Sequence, residues 1–120
     1  MLGLLRRWFA KPPSTGDGNW QAVAKVADIQ PGRLKAVVFG GAQIAIGRDG
    51  KTWFAVQRRC PHRFGDLAAG HVERGALVCP DHKYRFSLAT GRHDGASDHC
   101  LVRYAVRVVG DVVEIDPKPL

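Results

Sequence analysis

The stretch from Cys60 to His82 determines how the rest of the chain is interpreted. It begins Cys60-Pro61-His62, continues for sixteen residues, and ends Cys79-Pro80-Asp81-His82. Each of these two arms supplies one thiolate and one imidazole, and each cysteine is followed directly by a proline. Thiolates and imidazoles are soft or intermediate metal donors. The pattern therefore predicts a metal centre held by Cys60, His62, Cys79 and His82.

Two kinds of metal centre remain open for this ligand set. Two cysteines and two histidines can bind zinc tetrahedrally. However, common zinc fingers keep the two cysteines together and the two histidines together, whereas both arms are mixed here. A mixed arm suits a two-iron cluster in which the two thiolates hold one iron and the two imidazoles hold the other. A zinc-stabilised structural or interaction module is thus the alternative to a redox centre.

Composition narrows the class of protein further. The chain has 120 residues, enough for one domain with a real core. Its three cysteines suit two ligands plus one spare thiol, Cys100, better than a disulfide framework. Cys100 precedes an apolar stretch and is expected to be buried. Because the sequence contains neither a secretory leader nor an apolar run of about 20 residues, we expect a cytoplasmic location.

The formal net charge of +7 points to an anionic partner. The basic residues do not form a Lys/Arg tract with interleaved aromatics, so nucleic-acid binding is not expected. Several of them flank the two arms, and an acidic docking face on a protein partner would be attracted to them.

Short strands dominate the chain after residue 20. Residues rich in β-branched and aromatic side chains predict strands at 20–26, 34–39, 43–48, 51–57, 101–109 and 112–115. Asp49-Gly50 and Gly110-Asp111 are two-residue hairpin signals. No segment in this part predicts a helix of more than two turns. The pattern is typical of an antiparallel all-β sandwich or small barrel.

The two ends of the chain are expected to lie outside the domain. Residues 1–11, MLGLLRRWFAK, form a short amphipathic pattern, for which a frayed or packed terminus is favoured over contact with a membrane surface. Residues 11–19 are rich in Pro, Gly and Ser and predict a linker. We therefore divide the chain into an N-terminal segment with linker at 1–19, a domain at 20–116 and a tail at 117–120.

The sequence after the second arm adds a family resemblance. It continues Lys83-Tyr84-Arg85-Phe86 and reaches a Thr90-Gly91 turn. With the two arms, their prolines and their spacing, this resembles the Rieske [2Fe–2S] family over about residues 20–115. The resemblance implies an antiparallel all-β Rieske sandwich or barrel with a cluster-binding subdomain inserted between strands. It also implies one [2Fe–2S] cluster per chain, bound by Cys60, His62, Cys79 and His82.

Within the family, the chain resembles Rieske ferredoxins and oxygenase domains more than respiratory Rieske proteins. The respiratory members carry an extra cysteine in each arm, where this chain has Gly65 and Asp81. They also carry hydroxyl donors where this chain has Tyr84 and Phe86. Because fewer hydrogen bonds to the cluster lower its reduction potential, we expect a value in the lower part of the Rieske range of roughly −150 to +300 mV.

Two positions depart from the family pattern. Phe64 and Lys83 stand where the family usually has glycine. A bulky residue at such a position imposes a different loop path, so both are expected to change the shape of the arms.

These features predict a one-electron carrier rather than an enzyme. By resemblance, a Rieske oxygenase needs a second, mononuclear iron in a separate large domain, for which 120 residues leave no room. The expected function is that of a ferredoxin between a reductase and a terminal oxygenase. The alternative is the small Rieske subunit of an NAD(P)H-dependent nitrite reductase. The expected partners are these redox proteins.

Overall fold

Strands and tight turns make up the computed structural model, which describes residues 19–61, 65–81, 84–95 and 99–120. Two single 3-10 turns occur in these ranges, at Val26–Asp28 and Leu67–Ala69. The nine strands within the described ranges are β1 (Gln21–Lys25), β2 (Leu34–Phe39), β3 (Ala42–Asp49), β4 (Thr52–Gln57), β5 (His71–Glu73), β6 (Ala76–Val78), β7 (Arg85–Ser87), β8 (Arg103–Val109) and β9 (Val112–Pro119).

The strands form two antiparallel sheets. The larger has six strands in the order β1-β9-β8-β4-β3-β2, and the smaller has three in the order β5-β6-β7. The whole smaller sheet lies between β4 and β8 in the chain. The predicted all-β antiparallel fold with an inserted subdomain is therefore confirmed.

The central strands β3 and β4 are buried on both faces, because successive side chains of a strand point to opposite sides. Ile44, Ile46 and Ala55 belong to one core, whereas Ala45, Phe54 and Val56 belong to the other. The second core also contains residues of the inserted subdomain and its connections: Cys60, Leu67, Val72, Leu77, Cys79, Phe86 and Leu101. Both predicted cysteine ligands therefore lie in the core that joins the two sheets.

The C-terminal strand is longer than the sequence pattern predicts. The prediction ends this strand at Ile115, but β9 continues to Pro119, which pairs with Tyr104 of β8. The Leu120 N–H also donates to the Arg103 carbonyl at 2.8 Å. Residues 117–120 thus join the sheet instead of forming a tail. Proline is tolerated because β1 pairs with β9 only as far as Ile115, which leaves this edge open.

Two further predictions concern Cys100 and the N-terminal residues. Cys100 was expected to be buried but is exposed, because it precedes β8 instead of lying within it. The amphipathic pattern of residues 1–11 and the linker as far as residue 18 lie outside the described residues. Within the described ranges no helix is long and apolar enough to span a membrane.

Candidate cluster-binding site

The first arm is a loop closed by backbone hydrogen bonds at the end of β4. The Cys60 N–H donates to the Gly65 carbonyl at 2.8 Å, and the Leu67 N–H donates to the Arg58 carbonyl at 2.8 Å. Leu67 is fully buried and anchors the loop in the second core. These hydrogen bonds hold the two ends of the arm together, and the Cys60 side chain is buried inside the protein.

The second arm connects β6 to β7. Val78 and Arg85 pair at its base, and the Cys79 N–H donates to the Tyr84 carbonyl at 2.7 Å. Pro80 and Asp81 at the outer part of the arm are exposed. The second arm is thus a tight connection of the small sheet that carries Cys79 on its buried side.

The two arms bring Cys60 and Cys79 together. Both residues are 0% exposed and belong to the same core, and the Cys60 thiol interacts with that of Cys79. Burial raises the pKa of the Cys79 thiol to about 11; the Asp81 backbone N–H opposes this rise, and the Cys60 thiol adds to it. Cys79 is therefore protonated at neutral pH unless a metal displaces the proton. Two buried thiols that converge in this way suit the iron of a Rieske cluster that is bound by two thiolates.

The two arms approach each other closely at Gly65 and Asp81. A side-chain carbon placed on Gly65 would collide with the carboxylate of Asp81. These are the two positions at which respiratory members of the resembled family carry the cysteines of a disulfide. Here the glycine lets the arms approach each other without a covalent link.

The two histidine ligands remain predictions. His62 and His82 lie outside the described residues, as do Phe64 and Lys83, whose effect on the arms was expected from sequence. Among the residues that the structure describes, no group of three or more His, Cys, Asp and Glu is placed to hold a metal ion. The cysteine half of the predicted ligand set therefore converges in the structure, and the histidine half stays a prediction.

An ion pair that the sequence pattern did not reveal fixes the base of the first arm. Arg58 Nε donates to Asp66 Oδ1 at 3.0 Å, and an Arg58 terminal nitrogen donates to Asp66 Oδ2 at 2.9 Å. Asp66 Oδ1 also accepts from the Ala68 N–H at 3.0 Å and caps the 3-10 turn that follows. This bidentate clasp, Arg58–Asp66, holds the two ends of the Cys60 loop together. Only the folded structure brings the two residues, eight positions apart, into contact.

Replacing Asp66 by Asn is expected to lower the free energy of unfolding by no more than about 1 kcal/mol, because the ion pair that is lost is partly exposed and screened by solvent. The hydrogen bonds from Arg58 lower the pKa of Asp66. A lowered pKa means that the stabilisation is complete above about pH 5 and is lost as the pH falls through the lowered value. The difference in urea midpoint between wild type and variant should therefore shrink below about pH 4.

Asp111→Asn is the control for this prediction, since Asp111 is an exposed carboxylate in the turn between β8 and β9. It should leave the urea midpoint unchanged. If the Asp66→Asn difference persisted undiminished at about pH 3, the charge of Asp66 would not be the source of the stabilisation.

Aromatic rings pack against one another in the residues that follow the second arm. The Tyr84 ring stacks on the His93 imidazole with a centroid distance of 4.3 Å and an interplanar angle of 10°. Phe86 is 0% exposed, and its ring centroid lies 5.6 Å from the same imidazole. Nothing in the sequence marks His93, which reaches this position through its bridge to Phe86 at the edge of the small sheet. The stack fixes the chain just after the second arm.

Comparison with known proteins places this geometry in a family. Residues 19–104 match the family model described as the Rieske [2Fe–2S] domain. The chain belongs to the Rieske [2Fe–2S] family. This membership agrees with the fold, the two arms and the convergence of Cys60 and Cys79.

Relatives of several kinds share this Rieske domain. Ferredoxin CarAc of Metapseudomonas resinovorans is 32% identical over 88 residues, which cover 72% of this chain and 80% of that protein. Human apoptosis-inducing factor 3 is 32% identical over 79 residues, but these cover 66% of this chain and only 13% of that protein. The solved complex of reduced oxygenase and oxidized ferredoxin in carbazole 1,9a-dioxygenase contains a chain that matches with a TM-score of 0.74 at 25% identity. That match covers 87% of this Rieske chain and 98% of the other.

These matches confirm several predictions made from the sequence. The chain is a Rieske protein of the ferredoxin kind with a [2Fe–2S] cofactor. It is an electron carrier rather than an enzyme, because the relatives matched along most of their length are ferredoxin components. The zinc-module alternative is therefore set aside, and the nitrite reductase small subunit is less well supported than a ferredoxin.

Proposed function

We propose that this Rieske chain carries single electrons from a reductase to a terminal oxygenase. In this proposal Cys60 and Cys79 bind one iron of the cluster, and His62 and His82 bind the other. The observation that carries the proposal is the meeting of two buried cysteines from separate arms in a chain matched by ferredoxin components. When bound, the cluster takes up one electron and releases it again.

The protein around the cysteines has defined tasks in such a carrier. The apolar core that contains Cys60 and Cys79 excludes water from their sulfurs, and burial and hydrogen bonding tune the potential of an iron–sulfur centre. The Asp81 backbone amide lowers the pKa of the Cys79 thiol and so favours negative charge on that sulfur. Phe86 has no hydroxyl to donate, which supports a potential in the lower part of the Rieske range.

The acidic docking face of the partner is also part of the proposal. Arg59 precedes Cys60 directly, is exposed, and forms no ion pair within the described ranges. Arg58, in contrast, is engaged by Asp66. An exposed cation beside the cluster arm attracts a partner with surface carboxylates and increases the rate of encounter.

The proposed redox domain begins at residue 20 and includes the whole of β9, beyond the boundary predicted at residue 116, and the proposed setting is the cytoplasm. Support for a reducing compartment comes from Cys60, Cys79 and Cys100, which are all free cysteines. Any contact of residues 1–11 with a membrane surface lies outside the described residues and is not favoured.

An anaerobic reconstitution tests the proposed function. Reductase, terminal oxygenase and this chain from the same organism are mixed with NADH, and reduction of the oxygenase is followed by stopped-flow absorbance. Reduction should require the cluster-loaded chain, and its rate should fall as salt rises, because screening weakens the attraction between exposed charges. The Cys79→Ser chain is the control without a complete ligand set.

Two outcomes would contradict the proposal. Oxygenase reduction that proceeds equally well without the chain would remove its role as a carrier. Stable co-purification with a large NAD(P)H-dependent nitrite-reducing subunit would favour the alternative of a small Rieske subunit.

A further inference from the structure

Three arginines line a cavity on the outward face of the small sheet. The cavity has a volume of about 310 Å³, and its lining includes Arg74, Arg85 and Arg92 together with Ala76, Ser87 and Asp94. We call the three arginines the arginine cradle. The cavity lies apart from the cysteine pair, on the opposite face of the strands that carry the second arm.

The register of the small sheet explains how the cradle forms. Val72, Leu77 and Phe86 are aligned across the three strands and are buried in the core. Their neighbours along each strand must point the other way. Ala76 pairs with both Glu73 and Ser87, so this outward row has short side chains in its middle and leaves a hollow. The cradle surrounds that hollow.

The charges around the hollow are not balanced. Arg85 has two loose ion pairs, at 3.4 Å to Glu73 and 3.7 Å to Asp94. Arg74 and Arg92 are exposed and form no ion pair among the described residues. Among the described residues of the cavity lining, Asp94 is the one carboxylate. Because a guanidinium binds a carboxylate through two parallel hydrogen bonds, the cradle is suited to an additional carboxylate.

The backbone at Arg74 gives an independent indication that its side chain is needed there. Arg74 and Gly75 form the two-residue turn between β5 and β6, with φ angles of 52° and 74°. Positive φ at both positions defines a turn that prefers Asn or Gly at the first. An arginine at this position is strained, and such strain is often retained where a side chain has a function.

The cradle also lies beside the arm that carries Cys79. Arg85 lines a second cavity of about 310 Å³, together with His71, Val78, Cys79 and Pro80. It pairs with Val78 at the base of the second arm. A protein seated on the cradle would therefore cover the flank of this arm.

We propose that Arg74, Arg85 and Arg92 receive a carboxylate side chain from the acidic docking face of the redox partner. This inference rests on the proposed function, because it names where that partner is held. The cradle thereby adds an attachment point beside the cluster arm to the general attraction exerted by the basic surface.

The test uses acetylated hexaglutamate peptide as the probe of an acidic face. It is titrated at low salt into the cluster-loaded oxidised protein, and amide NMR shifts are recorded for wild type and Arg74→Asn. Saturable shifts are expected at the cradle and weakened about three- to tenfold in the variant, since one charge-assisted contact is lost. Asn suits a positive φ, so the thermal midpoint of the variant should not be lower than that of wild type.

Lys51→Asn is the matched control. Lys51 is an exposed cation in the turn between β3 and β4 and lines neither cavity. Its turn lies near that of Arg74, because Asp49 accepts a hydrogen bond from the Gly75 N–H at 3.0 Å. The control therefore removes the same charge from the same region but should retain wild-type peptide affinity.

Several results would contradict the proposal that the arginine cradle binds a carboxylate of the partner. These are equal losses of affinity in both variants, peptide shifts away from the small sheet, or saturation by inorganic phosphate without any response to the peptide. An EPR spectrum of each sample separates this inference from the proposed function. A cluster-loaded protein that ignores the peptide overturns the cradle alone, whereas a cluster-free protein that still binds it at these arginines overturns the proposed function and supports the cradle.

Discussion

Replacing Cys79 by Ser is expected to abolish assembly of the [2Fe–2S] cluster. Cys79 and Cys60 are both fully buried in the core that joins the two sheets. A serine hydroxyl is a harder, far less acidic ligand than a thiol, and iron–sulfur clusters depend on soft thiolates. Bound iron and acid-labile sulfide should therefore fall at least about tenfold relative to wild type, and the visible bands of the cluster should disappear.

The third cysteine provides a control for this substitution. Cys100 is exposed, and its thiol lies 3.8 Å from the Thr90 carbonyl and 3.9 Å from the Leu101 carbonyl. Cys100→Ser should retain full iron and sulfide contents. A Cys79→Ser protein with an intact cluster would show that the ligands have been assigned incorrectly, and so would cluster loss in Cys100→Ser alone.

Replacing Phe86 by Ala is expected to have the largest effect on stability. Phe86 is 0% exposed and shares its core with both cysteines. Removing a buried phenyl ring costs about 3–5 kcal/mol, part of which comes from the cavity left behind. Since the ring also packs near Tyr84 and His93, the base of the second arm should loosen, and the cluster should be lost at lower urea concentrations.

Val38→Ala is the control for the effect of removing apolar atoms. Val38 is 72% exposed on β2, so its truncation should change the free energy of unfolding by no more than about 0.5 kcal/mol. Urea unfolding followed by far-UV circular dichroism and by cluster absorbance measures both effects. An effect of Phe86→Ala as small as that of Val38→Ala would mean that this core does not stabilise the arms.

The large sheet was predictable because its signals are local. The strand predicted at 34–39 is observed as Leu34–Phe39, and the Asp49-Gly50 signal lies at the turn between β3 and β4. Gly50 and Gly110 both have positive φ angles, as tight turns of this kind require. Alternation of side chains and turn chemistry act over a few residues, so they can be read directly from the sequence.

The small sheet and the C-terminal strand carry weaker signals. Strands β5, β6 and β7 have three residues each, too few for a clear alternation. Lys118 and Pro119 have low β propensity, and they extend β9 only because β8 offers hydrogen-bonding partners at that end. Tertiary pairing decides these elements, and the sequence of each element alone does not contain that information.

In the candidate site, too, some features could be predicted from the sequence and others could not. Cys60, His62, Cys79 and His82 were predicted as ligands because the donor types and their spacing are chemically specific. Neither the Arg58–Asp66 clasp nor the arginine cradle could be predicted, because each depends on distances created by folding. The structure supplies these contacts and shows that Cys60 and Cys79 meet in the core.

An EPR-monitored redox titration of the anaerobically purified protein, with iron, sulfide and zinc assayed on the same sample, decides whether this chain carries a Rieske cluster. We expect equal amounts of iron and sulfide, a Rieske signal on reduction, and a midpoint potential below zero, in the lower part of a range of roughly −150 to +300 mV. A colourless protein that contains zinc and no iron would contradict this expectation.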